Sequence, residues 1–256
     1  MLKLTSSKKT FESGEWEQWG WGHMNELDMS SGGPGLLDCR FCYPPEPWRI
    51  IRSTLNFNVQ MGLGPLAEGY ALILSKRHFS CCAELPQSDI AEFENLVRTV
   101  RQAQINLYGK SLMFEHGRSG ACLPPGSGED LCYHAHLHFL PAAINLADSI
   151  SSDFPAAIFD TWQEVCSRYA LTGRPYLLAE KGRGIVYAET PDRIRSRYLR
   201  RIAAAALDKP ELEDWVAFPS YSVVKAGRDK MAMELNRLIK GSVQDGTAAS
   251  PESRAV

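Results

Sequence analysis

The sequence predicts an α+β fold built on an antiparallel sheet. Two observations carry that reading. Strands precede, and then mingle with, helices without a regular βαβ alternation, and short apolar runs are separated by Gly/Pro-rich turns. With 44% hydrophobic and 23% charged residues over 256 positions, the chain has enough apolar material for a sizeable core and is not disordered as a whole.

The elements follow in order. Residues 1–35 form a polar, Gly/Ser-rich arm, partly disordered, whose Trp16, Trp19 and Trp21 would either drape over the domain or serve as a lid. STLNFNVQM (53–61) and GYALILS (69–75) read as strands on either side of GLGPLAEG. Ser88 then caps a helix carrying Ile90, Phe93, Leu96, Val97, Val100 and Leu107 at three-to-four spacing, and Gly109 stops it. A strand at 111–115, a Gly/Pro-rich loop at 117–130 and a strand at 132–140 follow. Helices are expected at about 154–170, at 191–207 with Thr190 as cap, and at 226–240. Between the first two, YLLAEKGRGIVYAE (176–189) reads as a hairpin around its Gly-rich centre. The expected organisation is a catalytic domain at 36–150, a mostly helical extension at 151–240 packed on it, and a disordered tail at 241–256.

Charge and cysteines narrow the function classes. With 28 basic and 30 acidic residues, the net charge of −2 removes the electrostatic case for a dedicated nucleic-acid binder. No apolar run reaches the ~18 residues needed to span a bilayer, and the N-terminus lacks the apolar core of a signal peptide. The odd number of cysteines, seven, in a chain too large to need staples points to a cytoplasmic protein with reduced thiols.

The informative segment is His134-Ala135-His136-Leu137-His138-Phe139. In a strand, successive side chains alternate, so the three histidines share one face and Ala135, Leu137 and Phe139 the other. The apolar face seals against the core and the imidazoles line a cleft at about 6.5–7 Å intervals. Half of the six histidines stand in this row. Two chemistries fit it. His134 and His136 could reach one cation, or the middle imidazole could be a nucleophile whose neighbours set its tautomer and stabilise charge. A second cluster, Cys39-Arg40-Phe41-Cys42, has the spacing that lets two thiolates bind one Zn²⁺. Its missing ligands would be His78 and one histidine of the row, with Cys81, Cys82 and Cys132 as rivals that read more simply as small buried residues.

At this point the chain resembles the histidine-triad (HIT) superfamily of nucleotidyl hydrolases and transferases. HAHLHFL (134–140) matches the signature His-φ-His-φ-His-φ-φ, and GPLAEGYALILSKRHFSCCAEL (64–85) is similar to the family's strand leading into a Lys/Arg-His turn and a helix. The resemblance implies a HIT-like sheet of about five antiparallel strands with a packed helix. It implies that His136 is the nucleophile that attacks the α-phosphorus, that His138 contacts phosphate oxygens, and that His134 orients the nucleophile or binds zinc. In members with a CxxC, the ligands of a structural Zn²⁺ match Cys39, Cys42, His78 and His134. A homodimer is implied by the family's habit.

Phosphate esters are anionic, so donors are expected around the row: His138, Arg118, and the backbone of Gly126, Ser127 and Gly128. Asn58, on the strand before the GPLAEGY stretch, is the candidate for a ribose contact. Tyr70 stands where many triad hydrolases have a further histidine, so that supporting role passes to a phenol or is lost. Glu129-Asp130-Leu131 replaces the usual Gly-Gln-Ser/Thr stretch, which places acidic groups near the phosphates and hints at an unusual leaving group. In the extension, Arg193, Arg197, Arg200 and Arg201 fall roughly on one side of a helix. Arg197 and Arg201 are the candidates to clamp a second anionic group. The expected function is hydrolysis that releases a nucleoside monophosphate through a nucleotidyl-His136 intermediate. The alternatives are transfer of the nucleotidyl group to phosphate or a sugar phosphate, and a non-catalytic nucleotide-binding module.

Overall fold

The computed structural model describes residues 39–119, 133–192 and 194–246. The tryptophan arm, the loop that holds Ser127 and Gly128, Arg193 and residues 247–256 lie outside the described residues.

A single antiparallel sheet organises the chain. Its strands are β1 (Ile50–Ser53), β2 (Phe57–Met61), β3 (Ala71–Ser75), β4 (Leu112–Gly117), β5 (His136–Leu140), β6 (Ala156–Phe159), β7 (Tyr176–Lys181) and β8 (Gly184–Glu189). They lie in the order β1-β2-β3-β5-β4-β7-β8-β6. The described residues thus form eight strands where the resemblance implied about five. The difference comes from the C-terminal segment. The hairpin expected at 176–189 pairs along β4 through Phe114↔Ala179 to Gly117↔Tyr176, so the extension continues the sheet rather than packing on it only as helices.

Several element boundaries also differ from the sequence reading. Residues 53–61 do not form one strand: Thr54 donates its N–H to the Phe57 carbonyl at 2.9 Å, closing a tight turn between β1 and β2. Residues 154–170 do not form one helix. Ala156–Phe159 pairs with β8 as an edge strand, and α3 (Trp162–Thr172) starts afterwards at a capping box in which Thr161 and Glu164 bond each other's backbone. Helix α4 (Tyr198–Ala206) starts late because Arg197 adopts a left-handed conformation (φ 56°), which ends any helical run from residue 191. Helix α1 (Gln87–Tyr108) ends as expected, at Gly109 with φ 75°.

Both faces of the sheet are buried. Helices α1, α3 and α5 (Tyr221–Gly246) cover one, packing Ile90, Phe93, Trp162, Val165, Met231 and Leu235 against Ile73, Ala135, Leu137 and Phe139. Helices α2 (Leu146–Asp153) and α4 cover the other, packing Leu146, Ile150, Leu199 and Ala203 with Leu72, Leu74, Phe114 and Leu177. The second face is the one on which the histidines stand. This explains why Ala71–Leu74 of β3 is an unbroken apolar run: every one of the strand's five residues is buried. No helix among the described residues is long and apolar enough to cross a membrane.

Candidate active site and metal centre

Strand β5 runs between β3 and β4, so the histidine row occupies the middle of the sheet. His136 pairs with Leu74, and His138 pairs with Leu72 and Phe114. The alternation expected from the sequence is present, with Leu137 and Phe139 in the opposite core. The row is not an open cleft, however. His134 and His136 are only 2% and 7% exposed, because this face too is packed. Phe41, between the two cysteines of the knuckle, sets its ring 5.0 Å from that of His136 and 5.6 Å from that of His134.

Each ring's proton position follows from its partners. Nδ1 of His136 lies 2.6 Å from the carbonyl oxygen of His134. A carbonyl only accepts, so Nδ1 carries the proton and the neutral ring has its lone pair on Nε2. Burial pushes the His136 pKa below the ordinary histidine value, against the opposing pull of that hydrogen bond, and so favours the neutral form. His134 is oriented oppositely. Its Nε2 donates to the Ser75 carbonyl at 2.8 Å, which leaves Nδ1 as the lone-pair nitrogen. Burial lowers its pKa to about 3.

That Nδ1 faces the knuckle. It lies 3.4 Å from Cys39 Sγ, 3.6 Å from Cys42 Sγ and 3.2 Å from His78 Nδ1, while Cys42 Sγ is 3.3 Å from His78 Nδ1. All four ligand atoms lie within 4.8 Å of one another. A tetrahedral Zn²⁺ with bonds of about 2.3 Å to sulfur and about 2.0–2.1 Å to nitrogen has ligand–ligand edges of about 3.6 Å for S···N and about 3.3 Å for N···N. The observed separations match those edges, and the Ser75 carbonyl supplies the second partner that orients a ligating imidazole. The four residues could therefore hold a metal ion, joining the N-terminal loop to β5 and to the turn after β3.

His138 is set differently. Its Nδ1 lies 2.6 Å from the Tyr70 hydroxyl, and its ring stacks on Phe114 at 4.7 Å and 7°. The Tyr70 phenol is therefore bonded to the third histidine of the row. Burial, reinforced by the neighbouring His136 and His116 and by the Arg200 guanidinium, holds the His138 pKa well below the ordinary value. Its Nε2 is buried and has no hydrogen-bond partner among the described residues.

The remaining expected site residues scatter. Asn58 pairs with Leu74, which pairs with His136, so Asn58 stands on the histidine face two strands away, about 10 Å. Arg118 turns to the other side, donating to the Tyr169 hydroxyl of α3 at 2.7 Å. Arg197 pairs with Asp214 at 3.1 Å, and Arg201 with Glu213 at 2.9 Å. The arginine that turns inward is Arg200, only 5% exposed. It donates to the carbonyls of Gly64, Leu212 and Glu213 and lies 5.8 Å from the Tyr70 ring. Sequence reasoning also missed His116. The strand was read as ending at residue 115, whereas β4 runs to Gly117, and parity with Phe114 would have put His116 on the histidine face.

No family model matches the sequence, and no curated protein matches it. Its neighbours among solved structures include histidine-triad proteins. A histidine triad nucleotide-binding protein from Sulfolobus tokodaii is 18% identical with a TM-score of 0.32, covering 42% of this chain and 70% of that one. A Hit-like protein involved in cell-cycle regulation from Bartonella henselae is 14% identical with a TM-score of 0.29, covering 38% and 69%. Yeast Ap4A phosphorylase Apa2, solved with AMP, is 15% identical with a TM-score of 0.36; the overlap spans 61% of this chain and 64% of the phosphorylase.

Proposed function

We propose that this protein is a histidine-triad enzyme that transfers a nucleotidyl group to His136 and then to water, releasing a nucleoside monophosphate. The observation that carries the reading is the Nδ1–H bond of His136 to the His134 carbonyl, which presents an unprotonated Nε2 on a buried, neutral ring. That nitrogen attacks the α-phosphorus. The bond from phosphorus to the leaving oxygen or nitrogen breaks as the N–P bond forms, and the leaving group departs with the bond pair. The ring keeps its Nδ1 proton against the carbonyl, so the phosphorylated imidazole is cationic and leaves readily. Water then attacks phosphorus, the N–P bond breaks back to the lone pair on Nε2, and the water proton passes to solvent.

The remaining residues support this step. His138, anchored by Tyr70, offers Nε2 to the phosphoryl oxygens. Cys39, Cys42, His78 and His134 would hold a structural Zn²⁺, whose contribution is to fix the backbone of His134, and so the carbonyl that aligns His136. Asn58 is our candidate for the ribose. In the resembled superfamily, transferases of the hexose-1-phosphate type carry glutamine at the third position, and His138 in its place tilts our reading toward water as the acceptor.

The test is product analysis by mass spectrometry with dinucleoside polyphosphates, nucleotide sugars, aminoacyl phosphoramidates and nucleotidyl-phosphonates. Wild type is expected to release a nucleoside monophosphate, and His136→Ala none. A nucleoside diphosphate appearing only when inorganic phosphate is added would shift the reading to phosphorolysis. Nucleotide binding without turnover in either protein would leave only a binding module.

A further inference from the structure

His116 stands on β4, two residues beyond Phe114, which pairs with His138 of the neighbouring strand; its ring centroid lies 6.2 Å from that of His138, edge-on at 87°. It is 8% exposed. Its Nε2 accepts the backbone N–H of Leu199 at 2.9 Å, in the first turn of α4. A nitrogen that accepts carries no proton, so the proton of the neutral ring sits on Nδ1. Burial keeps the ring neutral, its pKa pushed down to about 3, and the proximity of His136 and Arg200 adds to this. Nδ1–H is thus a donor whose identity is set by the fold, yet it is buried with no hydrogen-bond partner among the described residues. His138 Nε2 is in the same condition. Buried polar atoms are nearly always satisfied, and two orphans on adjacent strands beside one reactive ring mark a place for a polar ligand.

We infer that His116 is a substrate-contacting residue: its Nδ1–H donates a hydrogen bond to a non-bridging oxygen of the phosphoryl group held at His136. The inference rests on the nucleotidyl reading of His136 given above. It assigns α4 a part in the site, since the helix's first-turn N–H holds His116 in the donor tautomer. A neutral donor suits this position, because it stabilises charge gathering on oxygen without competing for the Nε2 proton inventory of its neighbours.

Two substitutions separate this role from a structural one. His116→Gln places an acceptor where Nε2 was, keeping the Leu199 bond, but has nothing at the Nδ1 position. His116→Asn places an N–H near the Nδ1 position but loses the bond to α4. The assay is release of AMP from adenosine 5′-phosphoramidate and from diadenosine tetraphosphate, with thermal unfolding of each variant and His136→Ala as control. The expected result is that His116→Gln melts like wild type and loses on the order of 100-fold in kcat with little change in KM. His116→Asn melts lower yet retains more turnover than His116→Gln. A structural role predicts the reverse order. Wild-type turnover by His116→Gln beside an inactive His136→Ala overturns this inference alone, as does His116→Asn falling below His116→Gln. Wild type without AMP release from either probe overturns the reading beneath it as well.

Discussion

Replacing Tyr70 with Phe removes one oxygen and leaves the ring in place. The phenol oxygen lies 2.6 Å from His138 Nδ1, and Tyr70 is 2% exposed, so water has little access to take over the bond. The vacated volume is smaller than a methyl group, which makes the cavity contribution small. What remains is the lost hydrogen bond and a buried imidazole nitrogen left without its partner, together about 2–3 kcal/mol. For a chain of this size each kcal/mol lowers the melting temperature by about 2–4 °C, so Tyr70→Phe is expected to melt about 4–12 °C below wild type. Differential scanning calorimetry measures this directly, and nitrogen-15 spectra of the histidine rings report whether His138 changes tautomer. On the proposed function, turnover is expected to fall more than KM changes, since the ring offered to phosphate loses its anchor. A variant melting within about 1 °C of wild type, with an unchanged His138 spectrum, would refute the bond and the role built on it.

Three further perturbations test other parts of the structure. Purified protein is expected to carry one Zn²⁺ per chain by elemental analysis, and Cys42→Ser to lower both zinc content and melting temperature; equal zinc in both proteins would exclude the four-ligand site. Arg200→Lys reaches fewer of the three carbonyls that Arg200 holds and is expected to cost about 3 kcal/mol or more in denaturant unfolding. Arg201→Ala breaks only a partly exposed pair and should cost less than about 1 kcal/mol, so similar losses from the two would contradict the burial pattern. Glu115 is fully buried beneath the Cys82 N–H and the Tyr176 hydroxyl, and burial raises its pKa to about 7 despite those bonds. A carboxyl with a raised folded pKa holds its proton in the native state where the unfolded chain has lost it, so stability falls as pH rises from about 4.5 to about 7 and levels above. Glu115→Gln should flatten that slope, a difference of about 3 kcal/mol across the window; parallel stability curves for the two proteins would show that Glu115 does not titrate there.

Much of this arrangement is legible without coordinates, because it depends on local periodicity. Alternation along residues 134–139 is a property of any extended chain, so the shared face of His134, His136 and His138 could be read from their spacing. Gly109 as the stop of α1 needed only its tolerance of a left-handed conformation. Of the boundaries that differ, the turn at Thr54–Phe57 and the left-handed Arg197 are local, whereas the edge strand turns on a partner distant in sequence. Ala156–Phe159 is apolar enough for a helix but is a strand because β8 is beside it. The five arginines of 193–201 look alike in sequence, yet among the described ones Arg200 is turned inward, where the carbonyls of residues 64, 212 and 213 await it.

The sequence by itself thus determined the identity of the histidine row, the pair of cysteines three positions apart, and the alternation that puts the three histidines on one face. Only the tertiary structure decided what each nitrogen does. His134 Nδ1 faces Cys39 and Cys42 because its Nε2 meets the Ser75 carbonyl, His136 Nε2 is unprotonated because its Nδ1 meets the His134 carbonyl, and His116 joins the site because β4 extends to Gly117 beneath α4. The reason is physical. An imidazole's chemistry depends on which nitrogen holds the proton, and that is set by neighbours brought together by the sheet, at separations that no local pattern encodes.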